Sequence, residues 1–191
     1  MELLENRILK DGKVGEGNVL KVDSFLNHQI DVPFLLELGE EFYRLFKDDG
    51  VTKILTIEAS GIGIACLTAA RFGVPVVFAK KTRTNNIYAD VYTAPVYSYT
   101  HQTKYDIVVS KEFLNPGDRV LIIDDFLAKG SALLALVSLI RDAGAETVGA
   151  GIVIEKAYQE GGELVRGTGL RVESLARVAS MTVEDGVCFC R

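Results

Sequence analysis

The stretch Arg119-Val120-Leu121-Ile122-Ile123-Asp124-Asp125-Phe126-Leu127-Ala128-Lys129-Gly130-Ser131-Ala132 runs four apolar residues straight into two adjacent carboxylates. A short turn follows, closed by Gly130, and then an apolar helical pattern begins. Such a pattern predicts a buried strand ending in acids, a loop and a helix N-terminus. In an open α/β sheet, ligands bind at that end of a strand. Exposed backbone N–H groups at a helix N-terminus attract anions. Carboxylates accept hydrogen bonds from sugar hydroxyls while amides hold a phosphate, so the combination suggests a sugar phosphate.

Outward from this stretch the pattern alternates. Downstream, the helix runs through Ile140, ends near Gly144, and leads to a buried strand from Thr147 to Glu155. Upstream lie a strand from Lys53 to Ile57, a turn Glu58-Ala59-Ser60-Gly61-Ile62-Gly63, a helix Ile64 to Phe72 and a strand Val76 to Ala79. Strands alternating with helices favour a mostly parallel sheet flanked by helices, an α/β class. Lys80 to Asp90 breaks the rhythm, being polar with Lys80, Lys81 and Arg83. The tyrosine-rich run Val91 to Tyr99 and the strand-like Ile107 to Val109 together suit an extended excursion or a hairpin. At the N-terminus, residues 1–12 predict a short helix with Leu4 and Ile8 inward, and 14–23 an irregular strand or hairpin. Residues 24–31 lack a period and predict a loop. Pro33 fits the first turn of a helix ended by Asp48-Asp49-Gly50. Glu163 to Val165 suits a short helix or loop, and Arg171 to Val178 a further strand.

With 191 residues, 48% of them hydrophobic, the chain fits one domain with a sizeable core. Its net charge of −5 argues against nucleic-acid or anionic-membrane partners. The acidic start lacks the apolar core of a signal peptide, and the longest apolar runs are too short to span a bilayer. Three cysteines, an odd number, suit a reduced, cytoplasmic protein. Cys188-Phe189-Cys190 could begin a metal site, but His28 and His101 lack ligand-like spacing to it, and no protein metal site is expected.

Other strand-then-acid motifs fit less well. A Walker B strand needs a preceding Gly-Lys-Ser/Thr loop, which is missing. A dinucleotide turn needs a third glycine where Cys66 stands. The alternative reading is that Asp124 and Asp125 only cap the next helix. One acid would suffice for that, whereas two adjacent acids repel unless ligand hydroxyls or a cation offset the repulsion.

The stretch resembles the phosphoribosyl pyrophosphate (PRPP) motif of type I phosphoribosyltransferases. The segment Val19-Leu20-Lys21-Val22-Asp23-Ser24-Phe25-Leu26-Asn27-His28-Gln29-Ile30-Asp31 is similar to the N-terminal segment of bacterial xanthine phosphoribosyltransferases, as are Ile152 to Lys156 and Arg171 to Arg177 to later segments. The likeness covers nearly the whole chain. It implies the type I phosphoribosyltransferase fold as one domain over 1–191, with a small hood from about 1–31 and 156–191.

By this resemblance Asp124 and Asp125 hold the ribose hydroxyls, and Ala128, Lys129, Gly130, Ser131 and Ala132 wrap the 5′-phosphate. Ala59, Ser60 and Gly61 belong to the pyrophosphate loop, and Lys80 to Tyr99 to a closing lid. Leu20, Asn27 and Lys156 contact the xanthine, with Phe126 either near the purine or in the core. Some related purine enzymes place an aspartate base where this chain has Ala128, which excludes a carboxylate base at that position. The implied reaction joins xanthine to the ribose of PRPP and releases pyrophosphate, with Mg²⁺ accompanying PRPP and a homodimer as the assembly. Guanine or hypoxanthine specificity, or a PRPP-sensing DNA-binding regulator, are the alternatives; the regulator would carry an added module and a basic face.

Overall fold

The computed structural model describes residues 1–17, 19–81, 90–98 and 103–191. Helix α1 (Glu2–Asp11) buries Leu4 and Ile8, one turn apart, and ends where the Gly12 N–H donates to the Ile8 carbonyl at 2.8 Å. A hairpin of β1 (Lys13–Gly15) and β2 (Val19–Lys21) follows. The expected loop at 24–31 instead starts inside a π-helical turn, Asp23–Asn27. The N–H groups of His28 and Gln29 both donate to the Asp23 carbonyl, at 3.3 and 2.8 Å. The widened turn buries the consecutive residues Phe25 and Leu26 together, which is why no helical period is visible there.

Helix α2 (Val32–Phe46) carries Pro33 in its first turn. Its N-cap is Asp31, whose carboxylate accepts the Phe34 N–H at 3.2 Å. Strand β3 (Lys53–Ile57), helix α3 (Gly61–Phe72) and strand β4 (Val76–Ala79) form the first parallel unit. Strands β5 (Val91–Ser98) and β6 (Thr103–Ser110) make the hairpin the tyrosine-rich run suggested. Lys80 pairs with Val108 and ties this hairpin to the end of β4. Residues 82–89 and 99–102, including Arg83 and Tyr99 of the expected lid, lie outside the described residues. Then come β7 (Arg119–Leu127), α4 (Ser131–Asp142), β8 (Glu146–Lys156), α5 (Gly161–Arg166), β9 (Val172–Thr182) and β10 (Gly186–Phe189).

The main sheet has the order β10-β9-β8-β7-β3-β4, parallel throughout except for the antiparallel edge β10. The mostly parallel α/β reading holds. Alternation along β7 splits the core in two. Leu121 and Ile123 pack in the cluster with α1, α2 and α3, while Val120 and Ile122 pack in the cluster with α4 and the β5–β6 hairpin. A strand covered on both faces must be apolar at consecutive positions, and this run is. Fully burying each such side chain stabilises by roughly 1.5–3 kcal/mol.

The chain leaves β3 towards β4 on one side and later returns as β7 on the other. A crevice therefore opens at the carboxyl ends of β3 and β7, the topological switch point. At the far side, α1 packs on β9 and β10, β1 packs on β10, and the Met1 ammonium donates to the Leu175 carbonyl.

Candidate active site

Asp124 lies at the switch point with only 5% of its surface exposed. Strand β7 continues through both acids to Leu127, rather than stopping before them. Asp124, Phe126 and Leu127 stay in register with Ile152, Ile154 and Glu155 of β8. The acids are thus held by the sheet. Asp124 Oδ1 accepts the Asp125 N–H at 3.0 Å. Burial, and after it the neighbouring Asp125 charge, push the Asp124 carboxyl well above the usual carboxylate range; Lys81 pulls in the opposite sense.

Helix α3 begins at Gly61, three residues before the start its sequence suggested. The glycine is required by close approach. A Cβ on Gly61 would stand 2.2 Å from Thr56 Oγ1 and 3.0 Å from Asp124 Oδ1. The helix N-terminus therefore presses directly on the buried acid. Thr56 Oγ1 is itself buried with no partner among the described residues. Ala59 and Ser60 lead into α3 after a cis Glu58–Ala59 peptide, and Glu58 Oε1 accepts the Lys81 N–H at 2.6 Å.

Gly130 adopts φ +82°, which only glycine tolerates easily, and α4 starts at Ser131. Ala128 to Ala132 line a cavity of ≈ 190 Å³ together with Asp124 and Phe126. Tyr97 and Tyr105 of the hairpin close its far side. Ser131 Oγ donates to the Tyr97 carbonyl at 2.9 Å, so that hydroxyl ties the hairpin to the loop. Lys129 Nζ lies 2.8 Å from both carboxylate oxygens of Glu160. What this loop offers a phosphate is chiefly backbone N–H at the start of α4. Burial, and then Asp124, raise the Tyr105 phenol.

Of the base-contact candidates, Leu20 is buried with Val22, Phe25 and Leu26 in the α1–α2 core. Asn27 ends the π-helical turn, and its Oδ1 is a buried acceptor without a partner among the described residues. That turn is pinned from α1. The Arg7 guanidinium sits 5.1 Å from the rings of both Phe25 and Phe34, donates to Asp31 at 2.8 Å, and reaches Asp11 at 2.6 Å. Ile30 packs where a Cβ on Gly63 would stand 2.9 Å away, which brings the segment to the start of α3. Lys156 closes β8 half-buried, and burial lowers its ammonium. The structure gathers Asp124 and the 128–132 loop around one cavity, with Gly61 against the acid; the base candidates stand on separate elements.

Sequence reasoning missed Thr56 and Tyr105, and reached Tyr97 only as part of the Lys80 to Tyr99 segment. The tyrosine-rich run was visible, but its place over the loop depends on the hairpin's docking. Also missed was Gly161, whose N–H donates to the Ala128 carbonyl at 3.1 Å and where a Cβ would fall 2.3 Å from that oxygen. Among the described residues, no cluster of three or more His, Cys, Asp or Glu could hold a metal ion by itself.

A model of the phosphoribosyl transferase domain matches residues 30–166. A protein named xanthine phosphoribosyltransferase from Lachnoclostridium phytofermentans is 58% identical over 191 residues, covering 100% of this chain and 98% of that protein. One of the same name from Brevibacillus brevis is 50% identical over 189 residues, covering 99% and 96%. Among solved structures, adenine phosphoribosyltransferase from Rhodothermus marinus superposes with a TM-score of 0.75 at 21% identity, covering 93% of this chain and 99% of that one, a likeness of fold. The Giardia lamblia APRTase complexed with 9-deazaadenine gives 0.70 at 29% identity, covering 78% and 82%. The matched domain contains the switch point, both acids and the loop, and the full-length likeness adds the N-terminal segment and the last strands: the chain belongs to the xanthine phosphoribosyltransferases of the type I phosphoribosyltransferase family.

Proposed function

We propose that the protein transfers the 5-phosphoribosyl group of PRPP to xanthine, giving xanthosine 5′-monophosphate and pyrophosphate in purine salvage. One observation carries the reading: Asp124 and the amide-rich loop Ala128–Ala132 line one cavity at the switch point of the sheet. Asp124 and Asp125 accept hydrogen bonds from the ribose 2′ and 3′ hydroxyls. The backbone from Ala128 to Ala132 holds the 5′-phosphate. Ala59, Ser60 and Gly61, at the start of α3, face the departing pyrophosphate.

A purine nitrogen of xanthine, its proton given up to solvent, forms its bond to C1 of the ribose as the bond from C1 to the pyrophosphate oxygen breaks. Positive charge develops on the sugar and negative charge on the leaving group. Catalysis then rests on positioning and on fixed charges, without a covalent intermediate. Lys81, two residues beyond β4, pulls on Asp124, which supports a cation of the Lys80 to Tyr99 lid facing the pyrophosphate.

Asn27 offers an acceptor and donors to the edge of an oxidised purine; its Oδ1, without a partner among the described residues, supports this role. Lys156 donates to a ring oxo group and disfavours an amino group there. Leu20 supplies backbone and apolar contact. The packing of α1 and β1 on β9 and β10 supports a hood formed by about 1–31 and 156–191 over the base.

Mg²⁺ accompanies PRPP. The carboxylates of Asp124 and Asp125 are hard oxygen donors of the kind it favours, and without a larger protein cluster among the described residues the substrate's own oxygens supply most of its ligands. When bound, it neutralises charge on the pyrophosphate. No described helix is long and apolar enough to cross a membrane. A cytoplasmic homodimer completes the reading. Its dimeric part is supported by an apolar cavity of ≈ 520 Å³ between β4 and β6, flanked by the exposed Phe78 and Phe113.

A PRPP-dependent assay with xanthine, guanine, hypoxanthine and adenine in parallel tests the function. Xanthine should turn over fastest. Faster use of guanine or hypoxanthine would overturn the base assignment, and no turnover of any base the enzyme reading.

A further inference from the structure

Glu155 is a second buried acid at the carboxyl edge of the sheet, 1% exposed at the end of β8, and the transfer reaction above gives it no task. It is bound on every side. Arg166 Nη1 donates to Oε1 and Nη2 to Oε2, each at 2.8 Å, a bidentate pair. Ser174 Oγ donates to Oε2 at 2.5 Å, and Arg177 Nε lies 3.4 Å from the same oxygen. A Cβ on Gly162 would stand 2.3 Å from Glu155 Oε1 and 2.8 Å from Arg166 Nη1, so a glycine is needed for the pair to close. Burial alone would raise the Glu155 carboxyl; Arg166 and Ser174 more than offset that and hold it below the usual range.

Arg166 is the last residue of α5, and Gly161 is the first. Gly161 lies against the loop, its N–H on the Ala128 carbonyl and its Cα 3.3 Å from where a Cβ on Gly130 would be. A Cβ on Gly161 would also fall 2.6 Å from the Gly130 nitrogen. Val165, one residue before Arg166, packs on Gly130 as well: its Cγ2 lies 3.1 Å from the same built position. Glu160, just before the helix, holds Lys129. One short helix thus joins the Glu155–Arg166 pair at one end to the 128–130 backbone at the other. Arg166 keeps 34% of its side-chain surface exposed over the buried acid, and such an ion pair is weak evidence of a purely stabilising role. Its bidentate geometry does fix the position of α5.

We propose that Glu155 and Arg166 are positioning residues: through α5 they hold the Ala128–Gly130 backbone in the conformation that receives the 5′-phosphate of PRPP. The proposal rests on the reading of that loop as the phosphate site. Glu155 immediately precedes Lys156, so one strand end serves both the base and, through α5, the phosphate.

The test measures KM for PRPP and for xanthine, with thermal unfolding, in Arg166→Met, Glu155→Gln, their double variant and Arg166→Lys. Gly130→Ala is run beside them as a direct perturbation of the loop. Arg166→Met and Glu155→Gln should each raise the PRPP KM about 10- to 100-fold, the cost of a phosphate cradle displaced by a fraction of an ångström to one ångström. The xanthine KM should stay within about 2-fold, the double variant should be no worse than the worse single one, and Arg166→Lys should recover most of the loss. If Arg166→Met does not fold, the PRPP-selective effect must still appear, in smaller measure, in Arg166→Lys. A parallel rise in both KM values, or an unchanged PRPP KM, overturns the proposal. Should Gly130→Ala also leave the PRPP KM unchanged, the phosphate-loop reading falls with it; if Gly130→Ala raises that KM and the Arg166 variants do not, the positioning role alone falls.

Discussion

Replacing Asp124 with asparagine should make the protein more stable and less active at once. The carboxylate is 5% exposed, and the hydrogen bond it accepts among the described residues comes from the Asp125 N–H at 3.0 Å. Asparagine keeps an oxygen in that place. What it removes is a buried negative charge beside another acid. At the roughly 6 Å outer range over which neighbouring charges shift a carboxyl, two unit charges repel by about 3 kcal/mol at an effective dielectric near 20. Lys81 returns part of this. Removing the charge should therefore stabilise by about 1–3 kcal/mol. For a chain of this size that is a Tm rise of about 2–12 °C, at roughly 2–4 °C per kcal/mol.

The pH dependence separates this cause from better packing. Burial raises the folded pKa of Asp124 above its unfolded value. Its protonated form thus stabilises the native state fully below the unfolded pKa, and that contribution is lost as pH rises through the raised folded value. The advantage of Asp124→Asn must then grow as pH rises above the unfolded value and shrink as wild type becomes protonated in acid. Melting curves at pH 4 to 8, without PRPP or divalent cation, measure it. A Tm at or below wild type at pH 7, or a gain equal at pH 4 and pH 8, would refute the reasoning. In the same variant kcat/KM for PRPP should fall about 10- to 150-fold, the equivalent of one charge-assisted hydrogen bond of about 1.5–3 kcal/mol.

Gly61→Ala should destabilise by about 1–3 kcal/mol and weaken PRPP use, because the methyl must displace Thr56 Oγ1 or Asp124 Oδ1; urea unfolding and the PRPP KM read the two effects. Arg7→Ala frees the Phe25 and Phe34 rings, Asp11 and Asp31 together, at a cost of about 1–2 kcal/mol in melting experiments. It should raise the xanthine KM more than the PRPP KM, since the Asp23–Asn27 turn loses its anchor. Asn27→Ala and Lys156→Ala should each lower kcat/KM for xanthine about 10-fold or more, the scale of one lost hydrogen bond to a buried or charged group. PRPP binding measured by calorimetry should stay within about 2-fold, and equal loss of both substrates would make these residues structural.

The central sheet was legible because its strands are buried on both faces, and that leaves unbroken apolar runs such as Val120 to Ile123. Boundaries were less legible where contacts between elements override local pattern. The sequence suggested a strand ending in the two acids and a turn after them, yet Phe126 and Leu127 remain paired with β8. Gly61 and Gly63 looked like turn residues. They lie inside α3, where their missing side chains admit Thr56, Asp124 and Ile30. The π-helical turn hides its two buried aromatic and aliphatic residues from any 3.6-residue period. Strand β10 is four residues long, half-buried and dependent on β9 for its pairing, so its own residues carried no clear signal.

Asp124 and Glu155 share one sequence grammar, an apolar strand that ends in a buried acid, and only their surroundings tell site from scaffold. A buried charge is costly unless it is paired. Glu155 meets that cost inside the protein, with a bidentate guanidinium, a serine hydroxyl and a second arginine, and its carboxyl is held low. Asp124 has a backbone N–H, an unpartnered threonine hydroxyl close by and a second acid next to it, and its carboxyl is held high. An acid compensated by its own chain has no energetic reason to recruit a ligand. An acid left short of donors gains most when sugar hydroxyls and a cation arrive. On the proposed reading, the sequence run Ile122-Ile123-Asp124-Asp125 marks the binding edge, while Val153-Ile154-Glu155-Lys156 marks the frame that keeps the edge in shape and lends it one lysine.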